Sequence, residues 1–399
     1  MTGRGNFFAV DQRCVEAASR HKDGLSLGVA YLVLARYAAG ANHSSTKAGM
    51  TAIHAKLGLS RGRADAALKG LENAGLLTPP SKAGTRKLVP WGEYKAGALT
   101  DRQSAVLARV KRKREPILTG ADPDYQIAYG LSRRGALVLT EAPAGKAKFR
   151  ATDPEYLWFP NSLVDGFREG DAPLARLRQI GDPRALQMLL AAYRVTDLPE
   201  KGGIPRDMIC GGFRRFEVGR WGSFTVWGFA SLGTQGNWSA LTDPFKQGDI
   251  EERSRHFWAT WDALRDAHLV EVVSYLCESE SPDAQPIHAL PFRGGTEEER
   301  RVSVAAREAA LRMMSSAQIE RAETNLEASQ VVLCPVRSHV LGVQLVGIAR
   351  PVHRANTTKT GAWARAYLHG STEHAAIFEQ LAKPRDVADT SPVASTIDQ

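Results

Sequence analysis

The chain has 399 residues, of which 43% are hydrophobic and 24% are charged, a composition that supports folded domains and excludes a largely disordered protein. The net charge of +9 is unevenly distributed, because residues 1–150 hold 25 lysines and arginines against 11 aspartates and glutamates. Four widely separated cysteines exclude a small disulfide framework, and no apolar run approaches the ~20 residues of a membrane-spanning helix. We expect a cytoplasmic protein of two or three domains.

The basic N-terminal part begins with three predicted helices. Apolar residues at helical spacing predict the first over 25–39 and the second over 49–57. After the turn at Gly58, Ser60 can cap the third helix, and Gly75 can end it because a positive φ is favourable for glycine. The residues of this third helix predicted to face inward are Ala64, Ala67, Leu68 and Leu71.

Two short strands are predicted next, at 76–77 and 88–89, around a loop of turn formers and cations. This order, three helices followed by a pair of strands, is typical of a winged helix-turn-helix domain. The segment 25–90 resembles bacterial winged helix-turn-helix DNA-binding domains, which share Leu-Gly-Leu-Ser-Arg followed by Ala-Leu-x-x-Leu-x-x-x-Gly-Leu, here 57–61 and 67–76. This resemblance implies that the third helix enters the major groove of double-stranded DNA.

The first turns of the third helix carry the residues that we expect at base edges, since an arginine fork matches guanine O6 and N7. Asp65 could accept a hydrogen bond from cytosine or, more simply, pair with Arg61. The predicted base contacts are Ser60, Arg61, Gly62, Arg63, Asp65 and Ala66. The predicted backbone and wing contacts are Thr46, Lys47, Thr51, Lys69, Lys82, Arg86, Lys87, Lys111, Arg112, Lys113 and Arg114.

The part after the wing is predicted as a basic helix and a connecting region, within 96–160. Thr100 caps the helix, which ends in the cations of 111–114; these are either phosphate contacts or solvated charges favoured by the helix dipole. The segment 156–166 is also similar to uncharacterised helix-turn-helix proteins of mobile elements.

A sequence echo predicts a second winged-helix-like domain over 161–292. Leu264-Arg265-Asp266-Ala267-His268-Leu269-Val270 follows the pattern of residues 71–77, and apolar strands flank a polar loop after it. The first helix of this domain would be 183–195, with Asp182 as its cap, and the glycine- and aromatic-rich segment 202–236 would be an insertion. Together these features predict an α+β fold, mainly helical with small sheets and with winged helices in tandem.

The C-terminal region 293–382 is predicted to serve packing or self-association, for instance as a homodimer. A capping box at Thr296 and Glu299 opens a long helix that should reach Ala328, and strands follow at 331–336 and 340–348. Residues 383–399 are predicted to be disordered.

Signatures of catalysis and of nucleotide, dinucleotide or zinc binding are absent from the sequence. We therefore expect no enzymatic activity, no catalytic or metal-ligating residues and no cofactor; no signal indicates a small-molecule effector. A pair of winged helices resembles the replication initiators and regulators of plasmids and integrative elements. The hypotheses are a nucleoid-associated transcriptional regulator, a replication initiator that binds origin repeats, and a protein-interaction module without DNA specificity.

Overall fold

The computed structural model contains two compact units. The first comprises Met1–Gly203, Trp238–Val270 and Pro351–Thr357, and the second comprises Ile204–Asn237, Glu271–Arg350 and Thr358–Gln399. The residues that the structure describes are 7–39, 44–113, 116–141, 146–196, 203–204, 210–235, 245, 248–281, 284, 286–291, 296–324, 331–340, 342–354 and 358–383.

Helices dominate the first unit. Its elements in chain order are β1 (Phe7–Asp11), α1 (Gln12–Ser19), α2 (Gly24–Arg36), β2 (Ala38–Ala39), β3 (Ser45–Thr46), α3 (Met50–Leu57), α4 (Arg61–Asn73), β4 (Arg86–Lys87), α5 (Trp91–Ala96), α6 (Asp101–Lys113), β5 (Ile117–Thr119), α7 (Tyr125–Arg133), β6 (Leu137–Glu141), β7 (Lys146–Ala151), β8 (Tyr156–Pro160), α8 (Ser162–Asp165), α9 (Pro173–Ile180), α10 (Pro183–Val195) and α11 (Ile250–Asp266).

The three predicted N-terminal helices correspond to α2, α3 and α4, and the predicted strand pair is present in shortened form. Leu77 and Leu88 form an isolated bridge, Thr78 N donates to Lys87 O over 2.9 Å, and β4 pairs with β3. Strand β4, in which the chain returns after the loop, therefore lies between β3 and residues 77–78, which follow α4. Helices combined with antiparallel sheets confirm the α+β class.

The chain over 96–151 contains a folded module, where the sequence predicted a helix and a connecting region. The helices α6 and α7 pack on a three-stranded sheet of order β5-β7-β6. Val110, Leu131 and Phe149, each 1% exposed or less, are at the centre of a hydrophobic core confined to this module. The module thus has its own core.

The segment 161–292 does not form one domain, because its elements are divided between the two units. Helix α10 begins as predicted, with the Asp182 side chain accepting from Arg184 N, and α11 also lies in the first unit. The strands after α11 belong instead to a six-stranded sheet of the second unit. Seven of the eight residues from Val270 to Cys277 are buried, as in an inner strand, whereas a wing strand would expose one face.

The second unit is built on that sheet, whose strand order is β12-β11-β14-β9-β10-β13. Its elements are β9 (Cys210–Trp221), β10 (Phe224–Gln235), β11 (Val270–Cys277), β12 (Pro286–Pro291), α12 (Glu297–Met313), α13 (Ser316–Thr324), β13 (Val331–Arg337), β14 (Gln344–Pro351) and α14 (Thr358–Ala382).

The long helix expected from Thr296 to Ala328 is two helices. The predicted capping box at its start is present, since Thr296 and Glu299 each accept from the other's backbone N–H. The first helix ends at Met313, and a second begins where Ser315 N donates to Gln318 Oε1 over 2.9 Å. This local cap competes with helix continuation at Ser315. Residues 325–328 lie outside the described residues.

A buried ion network is at the centre of the second unit. Arg350, 2% exposed, donates from Nε to Glu271 Oε1 over 2.5 Å and from Nη2 to both Glu299 oxygens over 2.8 and 2.9 Å. Its Nη1 donates to the Tyr275 hydroxyl. Because a buried charge is stable only when it is paired and hydrogen-bonded, this arrangement ties β14 to β11 and α12.

None of the helices in the described ranges is long and apolar enough to cross a membrane. The predicted disordered tail lies outside the described residues from 384 onward.

Candidate nucleic-acid interface

The turn between α3 and α4 fixes the direction in which α4 leaves. Gly58 ends α3 with a φ of +59°, a conformation that costs other residues about 1–2 kcal/mol. His54 Nδ1 lies 2.5 Å from the Leu59 carbonyl oxygen, and Ser60 Oγ accepts from Arg63 N at 3.4 Å as the predicted N-cap. The start of α4 is thus set by local hydrogen bonds.

One side of α4 is buried against α2. The four residues predicted to face inward are each 5% exposed or less. At Gly70 the helices approach so closely that a Cβ atom would lie 2.7 Å from a methyl group of Leu27. This packing leaves the opposite side of α4 facing solvent.

The outward side of α4 carries two arginines in its first turn. Arg61, Gly62, Arg63 and Ala66 are exposed. Among the described residues, neither guanidinium group takes part in an ion pair, so both can donate to an external acceptor. Gly62 has no heavy atom within 4 Å of a built Cβ position, and the backbone there is open to close approach.

Asp65 pairs with Lys69, not with Arg61 as the sequence suggested. The Lys69 Nζ to Asp65 Oδ2 distance is 2.8 Å. An acid four residues before a base is the favoured orientation on a helix, which explains the choice of partner. Lys69 is thereby partly neutralised at the edge of the outward side.

Three further cations predicted to contact phosphates are held by carboxylates. Arg86 Nε lies 3.2 Å from Glu72 Oε1, and Arg86 is only 16% exposed. Glu93 accepts from Lys87 Nζ at 2.9 Å and from Lys111 Nζ at 2.5 Å. Burial raises the pKa of Glu93, but hydrogen bonds from the two lysines outweigh burial, and the pKa is lowered. Glu93 therefore joins the wing strand to α6.

The remaining predicted backbone contacts differ in accessibility. Thr46 is not a surface residue: it is 1% exposed, and its Oγ1 accepts from Ala48 N at 3.0 Å, which stabilises the turn before α3. Lys47, Thr51 and Lys82 are exposed. Arg112 and Lys113 are also exposed, at the end of α6, and Arg114 lies outside the described residues.

The predicted echo of helix ends is present in the structure, and it occurs a third time. Gly75 and His268 have φ values of +72° and +53°, and each follows a helix whose final turn is closed by a backbone bond to a leucine carbonyl. Gly135 repeats this geometry after α7, with a φ of +79° and a bond from Ala136 N to Leu131 O. The sequence signal for this third helix end is Leu-x-x-x-Gly-x-Leu at 131–137.

No group of three or more histidine, cysteine, aspartate or glutamate side chains in the described ranges is arranged to hold a metal ion. Comparisons with protein-family models, curated proteins and solved structures find no match to this chain.

Proposed function

We propose that this chain binds double-stranded DNA in a sequence-specific manner through residues 24–90, folded as a winged helix-turn-helix. The observation that carries the proposal is the exposed pair Arg61 and Arg63 in the first turn of α4. The helix is anchored by its buried side, so these arginines project from a rigid support. A strand pair and a loop bearing Lys82 follow, in the position of a wing.

In this proposal α4 enters the major groove with its N-terminal turn towards the base edges. Each guanidinium can donate two hydrogen bonds to O6 and N7 of guanine, and such a pair discriminates against a wrong base by about 1–3 kcal/mol. Gly62 allows the backbone to approach the groove closely. The Nζ amino groups of four lysines would contact phosphates: Lys47, Lys69, Lys82 and Lys87. These contacts give DNA affinity that weakens as the salt concentration rises.

The role that we propose is that of a transcriptional regulator of a bacterial mobile element. A regulator should bind one or a few operators beside a promoter, whereas a replication initiator should bind repeats next to an AT-rich segment. The chromosomal or plasmid positions of the selected sites separate these roles.

The test is selection of random duplex DNA on the full-length protein, with Arg61→Ala, Arg63→Ala as the variant. The control is Arg168→Ala, Arg307→Ala, which removes the same charge at two exposed positions outside residues 24–90. We expect an enriched motif for the wild type and the control, and loss of that motif for the α4 variant. An equally enriched motif with all three proteins would overturn the proposal, as would weak binding that ignores salt.

A further inference from the structure

The module over 101–151 shares the later part of its connectivity with residues 24–88. In both, a helix is followed by two antiparallel segments, Leu77 with β4 in the first case and β6 with β7 in the second. Residues 24–88 have two helices, α3 and α4, before these segments, whereas α7 alone precedes them in the module. In both, the returning strand is central: β7 lies between β5 and β6, and β4 pairs with β3 while Lys87 O accepts from Thr78 N. Helix α7, which directly precedes the strand pair, therefore corresponds in position to α4.

The ends of α7 support this equivalence. It stops in the same left-handed glycine turn as α4, at Gly135 in place of Gly75. The two carboxylates near its start both pair with Arg109 of α6, whose guanidinium lies 2.6 Å from Asp124 and 3.4 Å from Asp122. One of the two negative charges at the start of α7 is therefore compensated.

The outward side of α7 carries residues that can recognise bases. Gln126, Tyr129 and Arg133 follow at positions i, i+3 and i+7, so they lie along one side, and all three are exposed. Tyr129 is 41% exposed although it is a large aromatic residue. Ala128 and Leu131, on the opposite side, are fully buried.

The returning strand of this module presents cations on its outer face. Lys146, Lys148 and Arg150 alternate with Ala147 and Phe149, which are buried in the core. Arg150 pairs with Asp153. Lys146 is exposed at the start of the strand, directly after a loop that lies outside the described residues.

From these observations we propose that α7 is a second helix that recognises duplex DNA, in a segment distinct from that bound by α4. The inference rests on the proposed function of α4. A glutamine amide matches adenine N6 and N7, so Gln126 recognises an A·T pair, with the Tyr129 ring on the thymine methyl group. Arg133 contacts a base or a phosphate, and Lys146 contacts a phosphate from the start of β7. The complete site then has two parts, recognised by different side chains.

The test uses full-length protein and the duplex selected by the wild type, with hydroxyl-radical footprinting and affinity as readouts. For Gln126→Ala, Arg133→Ala we expect about a tenfold loss of affinity or more, and a footprint reduced to the α4 segment. The control Gln380→Ala, Arg307→Ala replaces the same residue types at exposed positions of the second unit and should keep the whole footprint.

A second variant tests the inference if Gln126→Ala, Arg133→Ala does not fold. Lys146→Ala should lower the slope of log K against log salt by about 0.9 without changing the selected motif. An unchanged footprint and motif for Gln126→Ala, Arg133→Ala overturns the inference while α4 recognition stands. Failure of the wild type to select any motif overturns the proposed function itself.

Discussion

Replacing Glu93 with glutamine should tighten DNA binding, because this carboxylate holds two lysines, Lys87 and Lys111, that the sequence predicts at phosphates. Its oxygens lie 2.9 Å from Lys87 Nζ and 2.5 Å from Lys111 Nζ. Ion pairs of this exposure stabilise by about 0.2–1 kcal/mol each, so release of both changes the free energy of binding by about 0.4–2 kcal/mol. This corresponds to a Kd about 2- to 30-fold lower for Glu93→Gln.

The assay is fluorescence anisotropy of a labelled duplex at low and at near-physiological salt. Glu169→Gln is the matched control, because it removes one negative charge at an exposed position before α9. The Glu93 variant should also show a steeper salt dependence, since two more cations become free to neutralise phosphates. Equal effects of the two variants on Kd and on the salt slope would refute the reasoning.

Three further predictions concern stability. Gly75→Ala should lower the free energy of unfolding by about 1–2 kcal/mol and His268→Gly should raise it by about 1 kcal/mol, because only glycine adopts these positive φ values without strain; urea titration measures both, and changes of the same sign would contradict the assignment of equivalent helix ends. Arg350→Met should destabilise the protein by about 3–5 kcal/mol, since it leaves two buried carboxylates without their partner; a melting temperature equal to that of the wild type would argue against the network. Burial, reinforced by a neighbouring histidine, lowers the pKa of His288 to about 3 from its ordinary 6.5. Between these values the unfolded chain binds the proton and the folded protein does not, so stability falls with decreasing pH by up to about 1.4 kcal/mol per pH unit. His288→Gln should remove that part of the slope in urea titrations from pH 6.5 to 4, and an unchanged slope would mean that His288 is accessible to protons.

The parts of the fold that the sequence predicted are those specified by neighbouring residues. Ser60, Gly58 and Gly75 mark the boundaries of α4 through caps and a left-handed turn, and these signals act within a few residues. The capping box at Thr296 is local in the same way. Apolar spacing then identified the buried side of α4 correctly.

The parts that could not be predicted depend on contacts between distant residues. The strand after α11 has the same local pattern whether it is a wing strand or an inner strand, and its neighbours in the six-stranded sheet decide. The carboxylates that pair with the predicted phosphate-binding cations also depend on contacts between residues far apart in sequence. Glu93 meets Lys111 across 18 positions of sequence, a distance at which no spacing rule applies.

The most direct test of the central claim is binding of the selected duplex with each guanine replaced in turn by 7-deazaguanine, which lacks the N7 acceptor. If Arg61 and Arg63 donate to guanine edges, the wild type should lose at least about fivefold in affinity, about 1 kcal/mol, at one or two positions. The Arg61→Ala, Arg63→Ala protein should bind these substituted duplexes no more weakly than the unmodified one. Equal sensitivity of both proteins at every guanine, or no sensitivity in the wild type, would contradict recognition of DNA by α4.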